Sequence, residues 1–205
     1  RDDPKILDLE EHASDEFFME RVAGLQVPPR GIVFPKFRAD LLIRDVNWRK
    51  DEPVYLWEDP GYGRENGAHA VYAAHVRPDE RPLVEVFDEV YERGKTTEEI
   101  IKLIAGERIW WKAEEKHLVS DPYYKDAHHS MNSVGEQWLA QTGLVAYGDR
   151  THVAPRNERL KGFLGLDSAY REPGIVFSPR CVGILSEFGV RENPFDGLMH
   201  PYRYK

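Results

Sequence analysis

Alternating hydrophobic and polar positions predict three successive strands in the first half of the chain. These strands cover residues 54–59, 68–76 and 82–92, and turn-forming glycines or prolines separate them. Short turns between successive strands are typical of an antiparallel meander. The hydrophobic period then becomes helical over 96–116, with Thr96 or Thr97 as the predicted N-cap.

The rest of the chain alternates between strand and helix patterns. In order, these predict a strand at 117–122, a loop and helix at 123–143 ending at Gly143, a strand at 144–149, a helix at 156–165, a strand or edge at 174–179, and a helix at 181–190. The segment before the meander predicts a helix within 1–24, a proline-broken stretch at 27–37 and a short strand at 41–46. A meander followed by such crossovers predicts an α/β protein with a mixed sheet and helices on its faces.

Composition and charge narrow the class of protein. The 205 residues are 41% hydrophobic and 31% charged, as in a folded domain. The formal net charge of -8 excludes a generic basic nucleic-acid binder, but it allows an acidic site that holds metal ions and meets DNA through them. The single cysteine, Cys181, excludes an intramolecular disulfide and a cysteine-based zinc site. Without a long apolar run or a signal-peptide pattern at the start, we expect an intracellular protein without membrane contact.

Two aspartates follow predicted strands. Asp59 ends the first strand and leads into Pro60 and Gly61, and Asp121 ends the fourth and precedes a proline. If these strands are neighbours, both carboxylates project from the same edge of the sheet, where a hard divalent cation finds oxygen ligands. Two metal ions about 4 Å apart can activate water and stabilise the leaving oxygen in phosphodiester cleavage. A third acid would then be needed, and the glycines after Asp59 would let a DNA backbone approach.

Other interpretations of these acids remain open. Aspartate before proline or glycine is common at turns, and spacing alone favours that role over metal binding. Alternation sends Glu58 to the opposite face from Asp59, where we expect it to be structural or exposed. The acids of the third strand could reach the same edge, but a solvated face is the better interpretation; they are Glu85, Asp88 and Glu89.

Several motifs, taken in order, resemble the nuclease region of tailed-phage terminase large subunits. The first segment, 20–37, carries Gly31, Val33, Phe34 and Phe37. The next, 53–63, contains Asp59-Pro60-Gly61, and 117–122 contains Asp121. The last, 181–188, is similar to a family helix with a cysteine and a glutamate, here Cys181 and Glu187. The resemblance covers residues from about 16 to 190.

This resemblance implies a ribonuclease H-like fold, with a mixed five-stranded sheet flanked by helices. It implies a metal-dependent endodeoxyribonuclease that uses Mg²⁺ or Mn²⁺ at a two-metal site to cut concatemeric viral DNA during genome packaging. The implied partners are double-stranded DNA, the terminase ATPase domain, the small terminase subunit and the portal, in the host cell cytoplasm. Residues 1–45 would be a linker or remnant of the ATPase region and 46–205 the nuclease domain. No GxxxxGK[ST] motif for ATP phosphates occurs.

The third acid departs from the family pattern. The family segment resembling Asp-His-x-x-Asp-Ala-x-x-Tyr is absent, and the chain offers Asp196 before Gly197 and His200. We assign Asp196 as the third catalytic and metal-binding residue beside Asp59 and Asp121. The alternatives are a motif beyond Lys205 and, as a substitute acid, Asp149.

Basic residues near these acids are candidates for DNA contact. Arg64 follows Asp59 closely, and Arg156, Arg159 and Lys161 share a predicted helix that could touch phosphates. Glu158 interrupts that helix face, so a solvated surface is an equally good interpretation.

Two rival functions remain. A Holliday-junction resolvase or transposase-like nuclease could use the same fold, because fold alone does not determine substrate. A catalytically silent module that docks on the portal or the ATPase domain would suit the acidic net charge.

Overall fold

The computed structural model describes residues 33–34, 37–61, 67–78, 82–120, 125, 132–148, 153–165, 173–199 and 201. Chain contacts divide the protein into a compact unit, Lys36–Pro201, and a second unit formed by Arg1–Pro35 with Tyr202–Lys205. The expected domain boundary after residue 45 stays a prediction. The helix expected within 1–24 and most of the stretch 27–37 lie outside the described residues.

The compact unit alternates strands and helices. Its strands are β1 (Val54–Asp59), β2 (Ala68–Arg77), β3 (Leu83–Arg93), β4 (Lys116–Ser120), β5 (Ala146–Tyr147) and β6 (Ile175–Phe177). Its helices are α1 (Ala39–Leu42), α2 (Thr97–Glu107), α3 (Val134–Thr142), α4 (Val153–Leu164) and α5 (Val182–Glu187), with a 3₁₀ turn at Ile109–Lys112. None of the helices in the described part of the chain has the length and apolar character needed to cross a membrane.

The strands form one mixed sheet in the order β5-β4-β1-β2-β3-β6. The meander β1-β2-β3 is antiparallel, whereas β4 runs parallel to β1, β5 parallel to β4, and β6 parallel to β3. The predicted α/β class with a mixed sheet is confirmed, and so is the neighbouring position of the first and fourth strands. The described sheet has six strands where the resemblance implied five, because the segment expected at 174–179 pairs with β3 as an edge strand.

The main core lies on one face of this sheet. Leu56, Val71 and Leu118 project from adjacent strands and are fully buried. Side chains of α2, the 3₁₀ turn and α3 cover them, and the largest of these are Ile100, Ile104, Trp110 and Trp138. The core therefore holds β1, β2 and β4 in place from one side. The other face of these strands is left for a second layer.

Two expected elements differ from the structure. Residues 41–46 do not form a strand: a single helical turn, α1, ends at the buried Leu42. Only Ile43 makes an isolated bridge to Phe177, and the Arg44 N–H donates to the Phe177 carbonyl oxygen. Because β6 ends at Phe177, it offers no further residues with which the segment could pair.

The helix predicted over 96–116 stops at Glu107. Its start is as expected, since Thr96 forms a capping box with Glu99. Arg108 then takes an extended conformation, and the chain turns so that Trp110 enters the core and its Nε1 donates to Asp88 Oδ2 at 2.6 Å. Burial of the large indole therefore outweighs the helical periodicity of the remaining residues.

Gly183 permits close packing of α5 against β3. A Cβ added at this position would lie 2.3 Å from the Tyr91 ring. We expect Gly183→Ala to lower the free energy of unfolding by about 1–3 kcal/mol through overpacking. The matched control is Gly106→Ala in α2, where a Cβ meets nothing within 4 Å and helix propensity should raise stability by about 0.5–1 kcal/mol. Urea unfolding of both variants measures this, and wild-type stability of Gly183→Ala would contradict the close packing.

Candidate active site

Neighbouring residues at the end of β1 face opposite sides of the sheet. Glu58 points into the core layer and is buried, while Asp59 is exposed on the other face. The expected separation of these two acids by strand alternation is confirmed. Of the two outcomes expected for Glu58, structural or exposed, burial excludes the second.

Two rows of residues cross the face that carries Asp59. Asp59 pairs with Ala70, which in turn pairs with Tyr91. In the next row Trp57 pairs with Tyr72, and Tyr72 with Glu89. Between the aspartate and the tyrosine, this row carries only the buried methyl group of Ala70. An aspartate, a glutamate and two tyrosines therefore share one face of three adjacent strands.

Helix α5 lies over this face and adds a third carboxylate. Glu89 accepts hydrogen bonds from the backbone N–H of Gly183 and, at 3.1 Å, of Ile184, and so caps the start of the helix from below. At the other end of the helix, the Tyr91 hydroxyl donates to Glu187 Oε1 at 3.0 Å. These contacts hold Glu187 above the row that contains Asp59.

The electrostatic effects show that these acids act on one another. Burial raises the pKa of Glu187, and the negative charge of Asp59 raises it further, against the hydrogen bond from Tyr91. Burial also raises the pKa of Tyr72 well above its usual range, and the charges of Glu187, Glu89 and Asp59 add to that effect. All three carboxylates therefore lie close enough to influence the same tyrosine.

Glu89 is the acid whose titration is shifted into the neutral range. Burial raises its pKa to about 7, although the two backbone N–H groups of α5 oppose the shift. The charges of Asp88 and Glu187 raise it further. Glu89 therefore carries a proton for part of the time near neutral pH.

Of the three predicted catalytic residues, the structure describes Asp59 and Asp196. Asp59 lies at the end of the first strand, as predicted, and this strand is in the interior of the sheet. Asp121 lies outside the described residues, but Ser120 before it pairs with Glu58, the residue before Asp59. Asp196 is exposed, and its Oδ1 accepts from the Leu198 N–H at 3.0 Å in a local turn. Their catalytic and metal-binding roles stay predictions, as does the role of Asp149, which is also outside the described residues.

The predicted DNA-contacting residues are mostly on α4. Arg156 and Arg159 are exposed on this helix, while Lys161 Nζ donates to Glu158 Oε1 at 2.7 Å. Glu158 thus pairs with one member of the basic face. Arg64 lies outside the described residues, and DNA contact by any of these four residues stays a prediction.

The interpretation of the third-strand acids as a solvated face is wrong. Glu85 forms ion pairs with Arg49 and Arg77 and is nearly buried, and Asp88 accepts from Trp110. Glu89 is also nearly buried, beneath α5. Polar partners far away in the sequence compensate these charges, and a strand pattern cannot reveal such partners.

Glycine after Asp59 has a packing role in this structure. A Cβ on Gly61 would lie 2.3 Å from the carbonyl oxygen of Ala68, at the start of β2. The sequence predicts that the glycines admit a DNA backbone, whereas Gly61 admits the neighbouring strand of the protein itself. This close approach holds Gly61, just past the end of β1, against the start of β2.

The acids of this face fit part of a metal site. Within the described ranges, no group of three or more histidine, cysteine, aspartate or glutamate side chains comes close enough to hold an ion. Asp59 and Glu187 are the carboxylates nearest to such a role, since one is exposed at the end of a strand and the other is half-buried beside it. A divalent site would need further oxygen ligands besides these two.

The order and direction of the strands define a ribonuclease H-like α/β domain, and solved structures of phage terminases share it. The large terminase of a thermophilic bacteriophage, in complex with ATP-gamma-S, matches with a TM-score of 0.57 and 17% identity, over 90% of this chain and 43% of that one. The P22 large terminase nuclease domain matches with a TM-score of 0.54 and 14% identity, over 83% of this chain and 84% of that one. The ribonuclease H-like fold expected from the resemblance is confirmed.

The likeness is one of fold. No protein-family model matches the sequence, and no curated protein matches it either. The chain spans about 43% of the length of the thermophilic phage terminase that it matches.

The shifted titration of Glu89 predicts a pH-dependent stability. Because its pKa is about 7 in the folded protein against an ordinary value of 4.5, the folded state binds more protons between these values. Stability should therefore fall as pH rises from about 4.5 to 7, by up to about 3 kcal/mol. Glu89→Gln keeps an acceptor for α5 and should remove most of this decline in urea unfolding at pH 5 and pH 8. A decline that remains in the variant should come from Glu187, whose pKa is also raised. An unchanged decline in the variant would contradict the assignment.

Proposed function

We propose that this chain is a metal-dependent endodeoxyribonuclease that cuts concatemeric viral DNA during genome packaging. The observation that carries the proposal is the exposed carboxylate of Asp59 at the end of β1, in the middle of a ribonuclease H-like sheet. The fold that the chain shares with the P22 large terminase nuclease domain supports this function. The pairing of Glu58 with Ser120 supports a site at the ends of β1 and β4, because each of these residues precedes one of the two aspartates.

Asp59 and Asp121 would hold Mg²⁺ or Mn²⁺, and a third carboxylate would complete the ligand set. The bound ions would activate water and stabilise the leaving oxygen of a phosphodiester. The carboxylates supply the charge that binds the ions, and the Tyr91 hydroxyl orients Glu187 beside them. Phosphates of the duplex would be bound by basic side chains, for which we propose Arg64, Arg156, Arg159 and Lys161.

We propose two candidates for the third carboxylate. Asp196 remains the candidate from the sequence, and Glu187 is the candidate favoured by the electrostatic effect of Asp59 on its pKa. Asp196 follows Phe195, whose ring stacks on that of Tyr91 with centroids 5.5 Å apart, so its segment lies on the same side of β3.

The partners of the proposed nuclease follow from the resemblance. They are double-stranded DNA, the terminase ATPase domain, the small terminase subunit and the portal, in the host cell cytoplasm. An isolated nuclease domain should bind DNA weakly, because the packaging motor would normally supply a high local concentration.

Substitution of Asp59 tests the proposed function most directly. We expect Asp59→Asn to reduce plasmid nicking with Mn²⁺ or Mg²⁺ by about 100-fold or more, because it removes a charged ligand. Its free energy of unfolding should stay within about 0.5 kcal/mol, because the side chain is exposed. The matched control is Asp51→Asn, an exposed aspartate before the other end of β1, which should cut at the wild-type rate.

The same assay distinguishes the rival functions. Cleavage of plasmid and linear duplex without sequence preference agrees with the proposal, whereas cleavage restricted to four-way junctions would indicate a resolvase. An absence of cleavage and of Mn²⁺ binding in the wild-type chain would indicate a silent docking module.

A second pair of variants identifies the third carboxylate. If Glu187 is the ligand, Glu187→Gln should lower Mn²⁺ affinity and nicking by at least about 10-fold while Asp196→Asn stays near the wild type. The contact of Asp196 with the Leu198 N–H is local and exposed, so its substitution should change stability little. The reverse order of the two effects would identify Asp196, and equal wild-type behaviour would exclude both residues.

A further inference from the structure

A buried polar trio lies on the core face directly behind Asp59. The Glu58 side chain has no exposed surface, and its Oε1 accepts from His69 Nε2 at 2.8 Å. Its Oε2 accepts from the Ser120 hydroxyl at 3.0 Å. These contacts place one carboxylate at the centre of three adjacent strands, with its partners on β2 and β4.

The fold itself does not require a charge at this position. The preceding row on the same face is apolar and fully buried, with Leu56, Ala73 and Leu118 on the same three strands. Burying a carboxylate costs free energy that its partners compensate only in part, and an apolar side chain of similar volume often stabilises a core equally well. The polar trio replaces the apolar layer at the point where β1 and β4 reach the candidate active site.

The trio links two strand ends. Glu58 is bonded to Asp59 through one peptide unit, and Ser120 is the last described residue before Asp121. A hydrogen bond between their side chains therefore restrains the backbone at both ends at once, and the imidazole of His69 adds the start of β2 to the same restraint. Directional hydrogen bonds fix such spacings more narrowly than apolar packing does.

We propose that Glu58 is a positioning residue for the nuclease site, which it serves by fixing the end of β1 against β4 and β2 through Ser120 and His69. This inference rests on the proposed function, because it assumes that Asp59 binds a metal ion. Glu58 itself stays in the core and touches neither metal nor DNA.

The test compares Mn²⁺ affinity, measured by isothermal titration without DNA, with nicking at saturating Mn²⁺. Glu58→Leu should weaken Mn²⁺ binding by about 10-fold, as loss of groups that orient metal ligands typically does. Nicking at saturating metal should fall much less. Glu58→Gln should stay close to the wild type, because its amide can accept from His69 and donate to Ser120. Ser120→Ala, a milder change, should weaken binding in the same direction if Glu58→Leu does not fold.

Glu85→Leu is the control for simple loss of stability. Glu85 is also nearly buried and ion-paired, but it lies towards the other end of β2 and β3. The Glu85→Leu substitution should lower the free energy of unfolding without changing Mn²⁺ affinity. Unchanged Mn²⁺ affinity in both Glu58→Leu and Ser120→Ala, or an equal loss in Glu85→Leu, would overturn the positioning role. Failure of the wild-type chain to bind Mn²⁺ would instead overturn the proposed function and this inference with it.

Discussion

The parallel pairing of β1 with β4 is the constraint on which the arrangement of the candidate site depends. It places β1 in the interior of the sheet, with β2 on its other side, so both edges of the strand are hydrogen-bonded. A strand held on both sides presents its end in a fixed direction, and Asp59 stands at that end. The helices of the core layer then stabilise the strand from behind, which leaves the opposite face for α5.

The two faces of the sheet accommodate buried acids in different ways. In the core layer, Glu58 accepts hydrogen bonds from His69 and Ser120, and Glu85 forms ion pairs with two arginines. On the site face, Glu89 is held by backbone N–H groups and Glu187 by a tyrosine hydroxyl, groups that carry no full positive charge. Burial raises the pKa of both acids, and these hydrogen bonds offset only part of that effect.

Local signals in the sequence predicted most of the fold. The boundaries of β1, β2 and β3 follow from alternation, and the start of α2 and the end of α3 follow from Thr96 and Gly143. The helix predicted to Lys116 failed because Trp110 is drawn into the core by contacts that its neighbours in sequence do not reveal.

The candidate site was predictable only in part, for the same reason. Asp59 could be found because it ends a strand and precedes Pro60 and Gly61. The contribution of Glu89 could not, because it depends on backbone groups 94 positions further along the chain. The likeness to a family helix pointed to Glu187, but its proximity to Asp59 depends on how α5 lies on β3.

The adjacency of Glu58 and Asp59 also has a consequence for folding. A shift of β1 by one residue against its neighbours would send every side chain of the strand to the other face. Asp59 would then turn to the core face, and the buried Val54 and Leu56 would leave it. Both changes raise the free energy of the shifted arrangement. The neighbouring Glu58 and Asp59 therefore disfavour the wrong register as the sheet assembles.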